Sequence, residues 1–354
     1  MRGRHAHATA KLPTPVRSLT ESLQHRARRV TPATFAEVAL EVFAHQRRLN
    51  PTYREWLRLS GQLDATPTDW QAIPCVPISL FRTHDVRTGN WEAEAQFRSS
   101  GTTGSQSSYH PIRDVQAYRA GCRRTFERLV SPLYGLRVLA LLPNYLQQGQ
   151  SGLVDMIRAF VAHAHEGSGF YLDDLDALRM RFAEPNSPPL LLWGVTFALL
   201  DLVEAHGPQV LPKGSILVET GGMKGRRKEL TRDELHGRLR TGYLVRGDDD
   251  SIGPVRILSE YGMTEMQSQG YLLDRLGRFT PAAGLRVRAR EVTDPRQLLG
   301  PGRAGVLNVY DLANVDTLSF IQTDDLGRVY ADERFEVLGR LDHSIVRGCS
   351  QLTT

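Results

Sequence analysis

Nine consecutive residues, Ser99-Ser100-Gly101-Thr102-Thr103-Gly104-Ser105-Gln106-Ser107, are almost entirely hydroxyl side chains and glycines. Side chains this small cannot fill a core, but the N–H groups and hydroxyls of such a run can wrap an anion, as phosphate loops do. The run lacks the Gly-Lys-Ser/Thr ending of a Walker A loop, and a flexible linker of the same composition is an equal reading. A second stretch, Ser259-Glu260-Tyr261-Gly262-Met263-Thr264-Glu265, brings a ring, a hydroxyl and carboxylates together. Tyr261 can cover a nucleobase, Thr264 can bond a phosphate, and Glu265 can hold Mg²⁺. A plain strand-to-loop junction would look similar. In the third stretch, Thr323-Asp324-Asp325-Leu326-Gly327, a carboxylate at a strand end could accept ribose hydroxyls; the alternative is an Asp-rich turn. The fourth is Gly339-Arg340-Leu341-Asp342, and beyond it lies Cys349 between Gly348 and Ser350, with Arg347 two residues before. A thiol is the most nucleophilic side chain at neutral pH, and a nearby cation increases its thiolate share.

These residues need a scaffold, and the pattern of apolar runs describes one. Phe35, Val38, Ala39, Val42 and Phe43 recur at helical spacing after Thr31-Pro32, which predicts an N-cap at Thr31, and Tyr53, Trp56 and Leu57 follow on a second helix. From there strand-length apolar runs alternate with helices: Leu136–Leu142, helix 151–164, Leu190–Trp193, helix 195–205 stopped by Gly207-Pro208, 215–219, helix 231–243 and 255–259. Thr231 and Glu234, three apart, form a capping-box pattern. Continuous apolar strands separated by helices indicate an α/β fold, mostly parallel sheets flanked by helices. After about Thr280 short strands follow one another without a long helix, which predicts a small antiparallel or barrel-like subdomain. The expected organisation is a basic flexible leader over 1–30, an α/β core over 31–280, a β-rich subdomain over 281–338, and a hinge-like tail over 339–354 carrying Cys349.

Composition narrows the function classes. The chain has 354 residues, 41% of them hydrophobic and 23% charged, as in ordinary soluble globular proteins. Its net charge of +5 is concentrated in residues 1–30, which carry +6 and leave the remainder at −1. A nucleic-acid-binding domain would carry its excess on the folded face, so nucleic acid is not expected as a partner. No apolar run approaches the ~18 residues of a membrane span; the longest, Leu190–Leu202, is interrupted by Gly194, Thr196 and Asp201. Three sparse cysteines (Cys75, Cys122, Cys349) make no disulfide framework and point to a reducing, cytoplasmic setting. Cys75 and Cys122 read as packed thiols. The His-Ala-His pairs at 5–7 and 163–165 lack the further ligands a metal would need.

The four stretches, in this order over about Ser99–Cys349, resemble the motif series of the adenylate-forming superfamily. Leu141-Leu142-Pro143-Asn144-Tyr145-Leu146, the run Glu219–Glu229 and the ending Val337–Arg340 through Cys349 resemble the LuxE-type acyl-protein synthetases, near the phenylacetate-CoA ligase branch. The resemblance implies the large-domain fold of adenylate-forming enzymes, with their mobile C-terminal domain absent. It implies ATP and Mg²⁺ as cofactors and a carboxylic, fatty acid as the substrate activated as acyl-AMP. It further implies transfer of the acyl group to a protein cysteine, here Cys349, for an acyl-reductase or acyl-transferase partner. By the same resemblance Ser99, Ser100, Gly101, Thr102, Thr103 and Gly104 hold the ATP phosphates, while Gly221, Gly222 and Tyr261 frame adenine and Gly262 joins the cofactor-binding set. Thr264 and Glu265 serve phosphate and Mg²⁺, and Asp325 and Arg340 hold the ribose. Ser107 stands where many superfamily members carry a lysine, a feature shared with the phenylacetate-CoA ligase branch, and Lys224 is the expected replacement cation. Two rivals stay open: a ligase passing the acyl group to CoA or a carrier thiol, and a non-catalytic binding subunit on the same fold.

Overall fold

The computed structural model describes residues 14–99, 107–142, 150–171, 174–221 and 230–341. Its centre is a twelve-stranded sheet whose two halves are built differently. In the first half five strands run parallel, from the edge inward Gly169–Phe170, Arg137–Leu141, Leu190–Val195, Ile216–Thr220 and Arg256–Tyr261. Every residue of Leu190–Val195 is buried, as a strand covered on both faces requires. The Trp193 ring meets Phe126 and Phe160, on helices Val115–Leu129 and Gly152–Val161. Its neighbour Gly194 faces Leu199 on helix Thr196–His206, so helices cover both sides. Helix Arg232–Gly242 packs beside Thr196–His206, and its capping box forms in both directions, Thr231 to Glu234 and back.

The second half is antiparallel. Gly270–Leu272 pairs with Arg256–Tyr261, then follow Phe279–Pro281, Phe335–Arg340, Phe320–Val329, Ala304–Asp311 and, at the far edge, Leu285–Arg290. The β-rich stretch thus continues the sheet of the α/β stretch through one hydrogen-bonded ladder. Val76–Pro77 adds a parallel pairing to Phe320–Val329. The α/β class with an antiparallel part therefore holds.

Three expectations are corrected. Residues 14–28 are not a loose leader: they form a helix whose Leu23 and Ala27 are buried against Phe35–Leu49. Asp316, nearly inaccessible, accepts hydrogen bonds from Gln24, from Arg28 (3.2 Å) and from Arg113 (3.1 Å), and Arg28 also reaches Asp114 at 3.0 Å. Partners elsewhere in the fold thus fasten the end of that basic stretch. The helix expected to be capped at Thr31 starts at Phe35, because Thr31–Thr34 closes as a turn (Thr34 N–H to Thr31 O, 3.1 Å). Thr323–Gly327 is neither a strand end nor a turn but the middle of a ten-residue strand, held extended by ladders on both sides.

Candidate active site

Strand Arg256–Tyr261 lies where the parallel half meets the antiparallel half, and its carboxyl end delivers Tyr261. Open α/β sheets expose their ligand crevice at this end of the strands. The Tyr261 ring packs against Phe335 (centroids 5.2 Å, edge-on) and Phe279 (5.8 Å), so aromatic contacts fix its plane. Its hydroxyl donates to Asp325 Oδ2 at 2.8 Å, and Arg340 Nε lies 3.2 Å from Asp325 Oδ1. Asp325 and Arg340 face each other as register partners on neighbouring strands. Burial raises the Asp325 carboxyl, while the Tyr261 hydroxyl and Arg340 pull it back down. The Arg340 side chain is 67% exposed against 10% for Asp325, so the row runs from the buried sheet to the open edge.

The hydroxyl-rich run meets this edge at its neck. Ser99 N–H donates to Ser108 O at 3.1 Å, and Ser108 N–H returns a bond to Ser99 Oγ at 2.8 Å, closing the base of the loop. The carboxyl of Glu265 is raised by burial and lowered by nearby Ser108, Arg82 and Arg340. The structure therefore brings Ser99, Tyr261, Glu265, Asp325 and Arg340 to one region at the carboxyl end of strand Arg256–Tyr261, with Gly262 and Thr264 on the segment that follows it. Gly221 follows strand Ile216–Thr220 with φ of +64°, the left-handed region that favours glycine, and its carbonyl accepts from Thr196 Oγ1 at 2.6 Å. The expected site residues Ser100, Gly101, Thr102, Thr103, Gly104, Gly222, Lys224 and Cys349 lie outside the described residues. Cys75 and Cys122 are buried free thiols, each pushed up to about 12 by burial, which makes them inert.

Several polar residues here carry no sequence signal. His110 is fully buried on strand Tyr109–Ile112; its Nδ1 lies 2.7 Å from the Thr264 carbonyl and its Nε2 2.9 Å from Thr317 Oγ1. Asn314 Nδ2 donates to the Glu265 carbonyl at 2.7 Å. Asp311 accepts from Gln267 N–H (2.8 Å), Ser268 N–H (2.9 Å) and Ser268 Oγ (2.6 Å). Behind Tyr261, Glu260 accepts from Thr220 Oγ1 at 2.6 Å and is pushed up to about 7, chiefly by burial and also by Glu219. Glu219 in turn accepts from Thr196 Oγ1 at 2.8 Å. A Ser/His/Asn pattern scattered across strands and turns has no spacing that a reader could recognise.

The donor chemistry fits a divalent cation shared with a ligand. Glu265 is a buried, acceptor-only group at the loop neck, and no cluster of three or more His, Cys, Asp or Glu stands among the described residues. One carboxylate suits Mg²⁺, which takes its remaining oxygens from phosphates and water.

No protein-family model and no curated protein matches the chain in sequence. Solved structures do match it in fold. An ATP-bound chimera of RpMatB and BxBclM shares 17% identity at a TM-score of 0.51, over 72% of this chain and 49% of that one. ATP-bound MatB from Rhodopseudomonas palustris shares 19% at 0.50, over 72% and 49%. The o-succinylbenzoate coenzyme A synthetase MenE from Bacillus subtilis, in complex with ATP and magnesium, shares 16% at 0.50, over 71% and 51%. The chain thus has the adenylate-forming fold and spans about half the length of these solved chains. Other MenE structures hold the acyl-adenylate OSB-AMP or the product analogue OSB-NCoA. MenE is thus a coenzyme A synthetase whose product analogue carries CoA. This stands against the acceptor expected from the motifs: the chain shares its fold with a CoA synthetase, which overturns transfer to a protein cysteine at Cys349.

Proposed function

We propose that the chain activates a carboxylic acid with ATP and passes the acyl group to CoA or a carrier-borne thiol, as an acyl- or aryl-CoA ligase does. The observation that carries this reading is the approach of the loop neck Ser99–Ser108 and of Glu265 to the Tyr261–Asp325–Arg340 row at the carboxyl end of strand Arg256–Tyr261. Residues drawn from four separate sequence motifs support it. A carboxylate is a poor electrophile because its oxygen is a bad leaving group. Attack of that oxygen on the α-phosphorus of ATP breaks the α–β bridge and releases pyrophosphate. The thiolate of the acceptor then attacks the acyl carbonyl and AMP leaves with its electron pair.

The enzyme's part is placement and charge neutralisation. The hydroxyl-rich run takes the phosphates, with Thr264 beside it, and Lys224 supplies a cation. Gly221, Gly222 and Gly262 leave room for adenine beside Tyr261, and Asp325 with Arg340 takes the ribose hydroxyls. Mg²⁺ held by Glu265 would neutralise phosphate charge. The serine at 107 favours, within CoA ligases, the phenylacetate-type phosphate loop. No helix among the described residues is long and apolar enough to cross a membrane.

The test is exchange of labelled pyrophosphate into ATP across a panel of fatty and aryl acids, followed by CoA addition. At least one acid should support exchange, and CoA should then release AMP and yield an acyl-CoA seen by mass spectrometry. If no acid in the panel supports exchange, the reading is wrong; if exchange occurs but CoA releases no AMP, the acceptor is wrong.

A further inference from the structure

Thr264 and Glu265 belong to no regular element, yet their backbone is gripped residue by residue from outside. His110 meets the carbonyl of Thr264, Asn314 donates to the carbonyl of Glu265, and Asp311 takes the N–H groups of Gln267 and Ser268. The grip is itself braced. Gln46 of helix Phe35–Leu49 donates to Asn314 O (3.1 Å) and Ser319 Oγ (3.0 Å), and accepts from Ser319 N–H (3.1 Å). Asn50 donates to Thr317 O at 3.1 Å, which fixes the residue that meets the far side of His110. The His110 ring is further set by the edge-on ring of Phe81, 5.3 Å away.

The partners determine the tautomer. A carbonyl can only accept, so Nδ1 of His110 carries the proton and donates to Thr264 O. Nε2 is left with its lone pair and accepts from the Thr317 hydroxyl. The ring is a two-ended brace between the 311–319 stretch and the Thr264–Glu265 segment, and it touches no reacting atom.

We infer that His110 is a positioning residue for acid activation, holding the Thr264 carbonyl so that the 264–265 segment keeps the Glu265 carboxyl in its place near Ser108. This rests on the reading of the site given above. Substrate groups that must stay within a fraction of an ångström of the reacting atoms lose rate, not affinity, when their support loosens.

Two amides separate the ends of the brace. In His110→Asn the amide nitrogen occupies the place of Nδ1 and can still donate to Thr264 O. In His110→Gln it reaches toward the place of Nε2 and serves only the Thr317 end. Pyrophosphate exchange should stay within about threefold of wild type in His110→Asn, and kcat should fall about thirtyfold or more in His110→Gln and His110→Ala, with KM for the acid changed less than about twofold. Thr317→Val, which keeps the Nδ1 bond and frees the ring's other end, should show a smaller loss of about threefold. Hydrogen exchange of the 263–268 peptide should rise in His110→Gln and not in His110→Asn. Equal activity in the Asn and Gln variants, or losses that follow thermal stability alone, would overturn the role of His110. An inactive wild type overturns instead the site reading beneath it, and the two results cannot be confused.

Discussion

The hydroxyl of Tyr261 and the guanidinium of Arg340 take opposite oxygens of one carboxylate, so Asp325 has little freedom to turn. Hydrogen bonds to charged groups are worth about 1.5–3 kcal/mol. Tyr261→Phe should therefore lower acid-dependent exchange about tenfold while the chain still folds, as judged by its circular dichroism; full activity would remove Asp325 from the site. Titration supplies a second prediction at this scale. Burial pushes His110 and His45 down to about 4, so below the ordinary imidazole value the unfolded chain binds protons that the folded one refuses. Their stabilising contribution is intact above about pH 6.5 and is lost as pH falls toward 4. Glu260, pushed up to about 7, has the opposite sign: the folded chain keeps a proton the unfolded chain has shed. Stability should fall as pH rises from the ordinary carboxylate range to 7, by at most about 1.4 kcal/mol per unit for one group. Urea unfolding against pH should show Glu260→Gln with a flatter limb between about pH 5 and 7; an unchanged slope would assign that limb elsewhere.

Elements whose identity depends on their own residues were readable. The Thr231–Glu234 capping box and the apolar run Leu190–Val195 carry their instructions locally, and both formed within a residue or two of expectation. Thr323–Gly327 failed because Asp and Gly are turn formers by composition, whereas its strand state comes from ladders to Ala304–Asp311 and Phe335–Arg340. The grip on Thr264 was invisible for the same reason, its two partners standing 154 residues apart in the chain. Gly327 shows what the strand demands. It sits at a register shift against Phe335–Arg340, where a Cβ would overlap the carbonyl of Glu336 and lie 2.9 Å from Leu307. Gly327→Ala should cost about 1–3 kcal/mol in denaturant unfolding. Gly253→Ala, on an edge with nothing within 4 Å of the new atom, is the control and should cost far less.

At the scale of the molecule, the sequence offered four motifs in order as a candidate site, and Ser100–Gly104, Gly222, Lys224 and Cys349 of that set lie outside the described residues, while the surface around Tyr261 was not legible. Nothing local in Thr14–Arg28 announces that Asp316, far along the chain, will receive it. Removing one partner of a buried ion pair costs about 3 kcal/mol or more. Asp316→Ala strips the acceptor shared by Gln24, Arg28 and Arg113 at once. Amide exchange over residues 20–28 should rise well before global unfolding, and unchanged protection there would mean that apolar packing of Leu23 and Ala27 suffices.

The ladder between Val76–Pro77 and Phe320–Val329 has a consequence for synthesis. Phe35, Val42, Tyr53 and Phe81 bury themselves partly on Tyr310, Phe320 and Ile321, which leave the ribosome more than 200 residues after Phe81. Until then the early helices must wait with oily surface uncovered, at about 5–20 residues per second. The strands that carry Tyr310, Phe320 and Ile321 are the ones that finally cover it.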